Sequence, residues 1–151
     1  MMESREEKTY YIDTNIFLNS VLYDPEKNQE AKVAKAFLEK ITSGEIKAVT
    51  SLLTWDEFSW IVKKTLGRED ALKEGQKFLN FPNLLFKKVT YDTVQHAQDL
   101  LRKYNIRPRD ALHVVTAIDS GITDIVSIDG DLDIIKEIKR VDLLNLDNEE
   151  V

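Results

Sequence analysis

Five short apolar runs, at residues 9–12, 46–51, 84–89, 125–128 and 141–144, divide the chain, and between them lie segments whose apolar residues recur at helical spacing. The spacing shows in Ala31, Ala34, Phe37, Leu38 and Ile41, in Phe58, Ile61, Val62 and Leu66, and in Val94, Ala97, Leu100, Leu101 and Tyr104. Further helices are expected over 68–79, 108–120 and 132–139. Strands kept apart by helices cannot pair as tight hairpins. Parallel pairing requires a crossover connection, and an intervening helix supplies one. The expected fold class is therefore α/β, a five-stranded parallel sheet sandwiched by helices. A chain of 151 residues holds one core of this kind, placed at 9–146, with tails at 1–8 and 147–151 expected to be flexible.

Composition narrows the chemistry. The chain has no cysteine, which excludes disulfides, thiolate metal sites and a cysteine nucleophile, and its two histidines, His96 and His113, leave little for imidazole ligation. Any metal is expected to be held by oxygen. A net charge of -6 argues against a broad basic face for nucleic acid, though not against a local basic rim. No run approaches the roughly 18 to 20 apolar residues of a membrane span, and the first residues, MMESREEK, are polar, so a soluble cytoplasmic protein is expected.

In open α/β sheets the binding crevice lies beyond the carboxyl ends of the strands, and acidic residues gather where those ends are expected. Asp13 follows the first strand directly, either as the cap of the next helix or as a carboxylate needing a cation. Thr54 and Glu57 have the spacing of a capping box, with Asp56 reading as a first-turn acid. Asp110 falls in the first turn of a helix opened by Pro108 and apolar nearly all round, hence buried. On that helix His113 reads as a packed core residue, with Asp110 in reach as a partner. Asp129, Asp131 and Asp133 suggest a calcium loop, but Ile134 stands where that loop needs Gly and Arg140 where it needs Glu. Each acid alone has a capping explanation. Together at one sheet edge they would repel unless cations lay between them, and Mg²⁺ or Mn²⁺ suits such oxygen donors. Clusters of this kind serve metal-assisted hydrolysis of phosphate esters.

These motifs, in this order, resemble those of the PIN-domain ribonucleases, including the VapC-like toxins of type II toxin-antitoxin pairs. Tyr11-Ile12-Asp13-Thr14-Asn15 is similar to the opening strand and acidic motif, Thr54-x-x-Glu57 to the second, Asp110-Ala111-Leu112-His113 with Thr116-Ala117 to the third, and Ser127-Ile128-Asp129 to the last. The resemblance runs from about Tyr10 to Leu146; Gly130 and Leu132 depart from it, standing where a basic and an aromatic residue are common. It implies a PIN domain over 9–146, with Asp13, Glu57, Asp110 and Asp129 as catalytic residues holding one or two Mg²⁺ or Mn²⁺ ions. Asp13 and Asp110 would be direct ligands. Thr14 and Asn15 would support Asp13, Thr54 or Ser127 would orient water or phosphate, and Asp131 would be auxiliary. It further implies an RNA substrate, an antitoxin partner and a homodimer.

The function expected is thus metal-dependent endoribonuclease, with a housekeeping nuclease or a non-catalytic RNA- or partner-binding protein as alternatives. Lys63, Lys64, Arg68, Lys87, Lys88, Arg107 and Arg109 are candidates for the basic rim. Trp55, Trp60 and Tyr104 are candidates for base stacking, with Trp60 also readable as core or subunit interface.

Overall fold

Strand β1 (Thr9–Ile12) forms the middle of the sheet, because its residues are apolar on both sides and its neighbours cover both edges. The chain then runs through α1 (Thr14–Leu22), α2 (Gln29–Thr42), β2 (Lys47–Ser51), α3 (Leu52–Leu66), α4 (Arg68–Leu79), β3 (Leu84–Lys87), α5 (Tyr91–Lys103), α6 (Pro108–Asp119), β4 (Asp124–Val126), a 3₁₀ turn (Gly130–Ile134), β5 (Lys139–Val141) and α7 (Leu143–Leu146). The computed structural model describes residues 8–146, so the expected flexible tails, apart from Lys8, lie outside the described residues.

The sheet has the strand order β3-β2-β1-β4-β5, and every pairing is parallel. Successive residues of one strand therefore feed opposite cores. Ile12 and Val126 pack with α1, α2 and α3 on one face, whereas Tyr11 and Ile125 pack with α5 and α6 on the other. On the first face Phe78 of α4 stacks on Phe58 and meets Phe17 and Phe86 edge-on. Burying such a side chain contributes about 1.5–3 kcal/mol, so these helices are held by the sheet rather than by propensity. Between α3 and α4 the chain turns at Gly67, whose φ of 97° is open to glycine and strained for other residues. Among the described residues no helix is long and apolar enough to cross a membrane.

The structure corrects several expected boundaries. Helix α3 starts at Leu52 and is capped by Ser51, whose side chain accepts the Leu53 N–H. Thr54 is thus no cap, the capping box with Glu57 does not form, and Asp56 lies past the first turn. The strand expected at 141–144 ends at Val141, because Asp142 accepts the Leu144 N–H on its side chain and starts α7. The helix expected at 132–139 is a single 3₁₀ turn. Asp129 caps it at one end, and Arg140 draws Asp133 aside.

Candidate functional site

The connection after β3 passes behind the sheet and returns as β4 on the far side of β1, so the chains leaving the carboxyl ends of β1 and β4 diverge. A crevice opens at such a switch of strand order. Here it is a cavity of about 540 Å³, and its lining includes Asp13, Glu57, Asp110 and Asp129 together with Arg107 and Arg109.

Asp13 leaves β1 in an extended conformation and caps α1, so both readings of it meet in one residue. It is 8% exposed. The Thr14 N–H donates to its Oδ1 at 2.8 Å and the Ser127 hydroxyl to its Oδ2 at 2.7 Å. Asn15 fastens the two strand ends together, donating to Ser127 Oγ at 3.2 Å and accepting the Ile128 N–H at 3.3 Å. Its amide also lies 3.3 Å from Asp13 Oδ2.

Glu57 projects from α3 toward α6, where it meets Nε2 of His113 in a short hydrogen bond and the Thr14 hydroxyl at 3.4 Å. His113 is buried, and its Nδ1 lies 2.6 Å from the Tyr11 hydroxyl. Burial, aided by the charges of Asp13 and Glu57, pushes the Tyr11 phenol well above its ordinary pKa. Tyr11 therefore stays protonated: its hydroxyl donates to Nδ1 of the neutral imidazole and accepts from the Nδ1–H of the imidazolium, and in both forms the Nε2–H faces Glu57. Burial opposes a charge on His113, but its hydrogen bond to Glu57 and the charges of Asp13, Glu57 and Asp110 outweigh that and raise its pKa. Sequence reading placed His113 in the core and missed Glu57, its partner across 56 positions.

Asp110 sits in the first turn of α6, as expected, and is 8% exposed. Burial raises its pKa; Arg107 opposes the rise, and the charges of Asp129 and Asp13 add to it, leaving the net shift upward. Arg107 grips both Asp110 oxygens, Nε at 3.0 Å and Nη2 at 3.3 Å, and places Nη2 3.1 Å from Asp129. Among the described residues no three His, Cys, Asp or Glu side chains converge as a ready-made metal cluster. The chemistry of the donors still fits a hard divalent cation. The groups are carboxylates, they face one cleft, and the charges of Asp13 and Asp129 act on Asp110 together, the kind of oxygen-donor set that a hard cation suits.

Other expected site residues stand elsewhere. Thr54 is fully buried and its hydroxyl pairs with Thr50 at 2.7 Å, so it is not placed to orient water in the cavity. Asp131 is exposed and gives Asp129 its backbone N–H. Lys63 and Arg68 line a separate groove between α3 and α4 with Trp55 and Trp60, both exposed, which rules out the core reading of Trp60. Lys64 lies in the last turn of α3, Lys87 ends β3 and Lys88 follows it, none of them in the cavity lining. Tyr104 is a clamp on the backbone, bonding Glu137 and accepting the Lys136 N–H, and not a free stacking surface.

A family model, PIN domain, matches residues 10–138 of this chain. The chain belongs to the PIN domain family. Solved structures share the PIN fold at low identity. A chain of VapBC2 from Rickettsia felis, bound to a DNA fragment from its promoter, is 17% identical with a TM-score of 0.68, over 88% of this chain and 97% of that one. VapC20 of Mycobacterium tuberculosis, a sarcin-ricin loop cleaving toxin, is 17% identical with a TM-score of 0.69, over 84% and 95%. DNA-bound VapBC from Salmonella typhimurium is 18% identical with a TM-score of 0.69, over 90% and 98%. Among curated proteins no relative matches the sequence. The fold of this PIN domain is thus that of the toxin chains, and the elements that build its acidic cavity are the ones the family model spans.

Proposed function

We propose that this PIN domain is a metal-dependent endoribonuclease acting as the toxin of a type II toxin-antitoxin pair. The observation that carries the reading is the cavity itself: Asp13, Glu57, Asp110 and Asp129 come from four separate parts of the chain to one cleft at the switch of strand order. Asp13 and Asp110, the two buried acids of the cleft, are the residues that would hold Mg²⁺ or Mn²⁺, with Glu57 and Asp129 completing the ligand set for one or two ions. Such an ion supplies Lewis acidity, activating water and neutralising charge on the phosphate.

The chain's own residues do the rest. Thr14, Ser127 and Asn15 fix both Asp13 oxygens, so that carboxylate is oriented before any ligand arrives. His113 and Thr14 hold Glu57 at the same cleft. Arg107 and Arg109 supply cationic groups at an otherwise acidic cavity, where an RNA backbone must be met. An antitoxin partner is supported by the likeness to VapBC chains, and a homodimer and a cytoplasmic setting follow from the same reading.

The test incubates purified protein with labelled RNAs and DNAs, in Mg²⁺, in Mn²⁺ and in chelator, beside Asp110→Asn. RNA cleavage that requires metal and falls to background in the folded variant is expected. Cleavage unchanged in Asp110→Asn would refute the site, and cleavage of DNA alone would refute the substrate class.

A further inference from the structure

The acids of the cleft have basic partners from the chain itself, and two of these, His113 and Arg107, differ in one physical respect. His113, on Glu57, has a side chain 3% exposed and packed into the core, so it cannot leave. Arg107, on Asp110 and Asp129, has a side chain 72% exposed. Its backbone is fixed, since it caps α6 at φ -73° and ψ 149°, the extended conformation that Pro108 imposes on the residue before it. A fixed Cα with a solvent-facing side chain describes a group that can swing off its partners without disturbing any packed element. Arg109, the other arginine lining the cavity, reaches Asp56 at 3.9 Å and leaves the Asp110–Asp129 pair to Arg107.

We infer that Arg107 is an exchangeable counter-cation, bridging Asp110 and Asp129 until a divalent ion takes those oxygens and displaces it into the cleft. The inference deepens the nuclease reading and rests on it, because the ion is the one that reading requires. The bridge spans both carboxylates with three contacts of 3.0–3.3 Å, so both Asp110 oxygens and one of Asp129 already carry a cationic partner. Without a cation between them the two acids repel, and the chain therefore carries its own stand-in. Metal binding is then an exchange, weaker by the strength of the Arg107 contacts. Once released, the guanidinium stands beside the carboxylates, free to meet a phosphate with its planar pair of donors.

The test is a calorimetric Mn²⁺ titration without RNA, on wild type, Arg107→Ala, Arg107→Lys and Asp110→Asn, each checked for folding by circular dichroism. Exposed ion pairs are individually weak, so Arg107→Ala is expected to bind Mn²⁺ on the order of tenfold tighter, about 1.4 kcal/mol. Arg107→Lys, which keeps the charge and loses the two-pronged grip, falls between. In wild type, Mg²⁺ should shift the Arg107 Nε–H resonance toward that of a solvent-exposed guanidinium. A merely structural Arg107 would give the opposite sign, weaker binding in Arg107→Ala. Affinity that is unchanged or reduced in Arg107→Ala but lost in Asp110→Asn overturns the exchange and leaves the metal site standing. No Mn²⁺ binding by any of the proteins overturns both.

Discussion

The Tyr11–His113 pair gives a sharp test of how the cleft is supported, because both members are buried and neither is placed to touch a substrate. Tyr11 is 0% and His113 2% exposed, and their polar atoms are 2.6 Å apart. Tyr11→Phe removes the hydroxyl and leaves Nδ1 unpaired in the core. One lost hydrogen bond of about 1 kcal/mol, plus an unsatisfied buried polar group costing about 1–3 kcal/mol, gives a destabilisation of about 2–4 kcal/mol. His113→Leu leaves the Tyr11 hydroxyl without its histidine partner and Glu57 with only the distant Thr14 hydroxyl, and it should cost a similar amount. In Tyr11→Phe/His113→Leu neither partner remains to be stranded, so the cost should fall short of the sum by about 1–2 kcal/mol. Urea unfolding of the four proteins measures this coupling from midpoints at a common slope. Additivity within about 0.5 kcal/mol would refute the pairing. The sign matters, since a cavity-driven effect from the lost phenol oxygen would persist in the double variant.

The acids of the cleft were legible in the sequence for a local reason, and their partners were not for a non-local one. Asp13 follows an apolar strand and Asp110 opens a buried helix, so strand ends and helix starts alone bring them to the carboxyl edge of a parallel sheet. The parallel order itself follows from helices separating the first four strands, while β4 and β5 pair in parallel across a single 3₁₀ turn. Tyr11 and His113 are 102 positions apart, and no periodicity in either segment announces that they meet. Boundaries failed where a side chain competed with the backbone pattern. Asp142 ends β5 early, and Ser51 starts α3 before the Thr54–Glu57 spacing suggests. Trp60 fits a helical apolar stripe yet stands 55% exposed, because α4 covers α3 farther round its surface and leaves a groove there. Arg107 was one of several arginines and lysines by sequence. Only the fold distinguishes it, by setting its extended backbone between two carboxylates.

Two further predictions concern the core and the acid-base behaviour of the cleft. Phe78→Ala removes a 3% exposed ring with centroids 4.9 Å from Phe17 and 5.2 Å from Phe58, and should cost about 3–5 kcal/mol in urea unfolding. A loss below about 1.5 kcal/mol would mean that α4 is not anchored there. The other is pH dependence. Although burial disfavours its charged form, His113 has a folded pKa above its ordinary 6.5, because Glu57, Asp13 and Asp110 favour the imidazolium. A raised folded pKa means that the folded state binds the proton more tightly than the unfolded state. The resulting stabilisation is complete below pH 6.5 and is lost as pH rises through the folded value. The advantage of wild type over His113→Leu should therefore be larger at about pH 6 than at about pH 9. Unfolding free energies of the two proteins at those pH values decide it. An advantage that grows with pH would mean that burial dominates and that His113 is held neutral, leaving Glu57 bonded to an uncharged imidazole throughout.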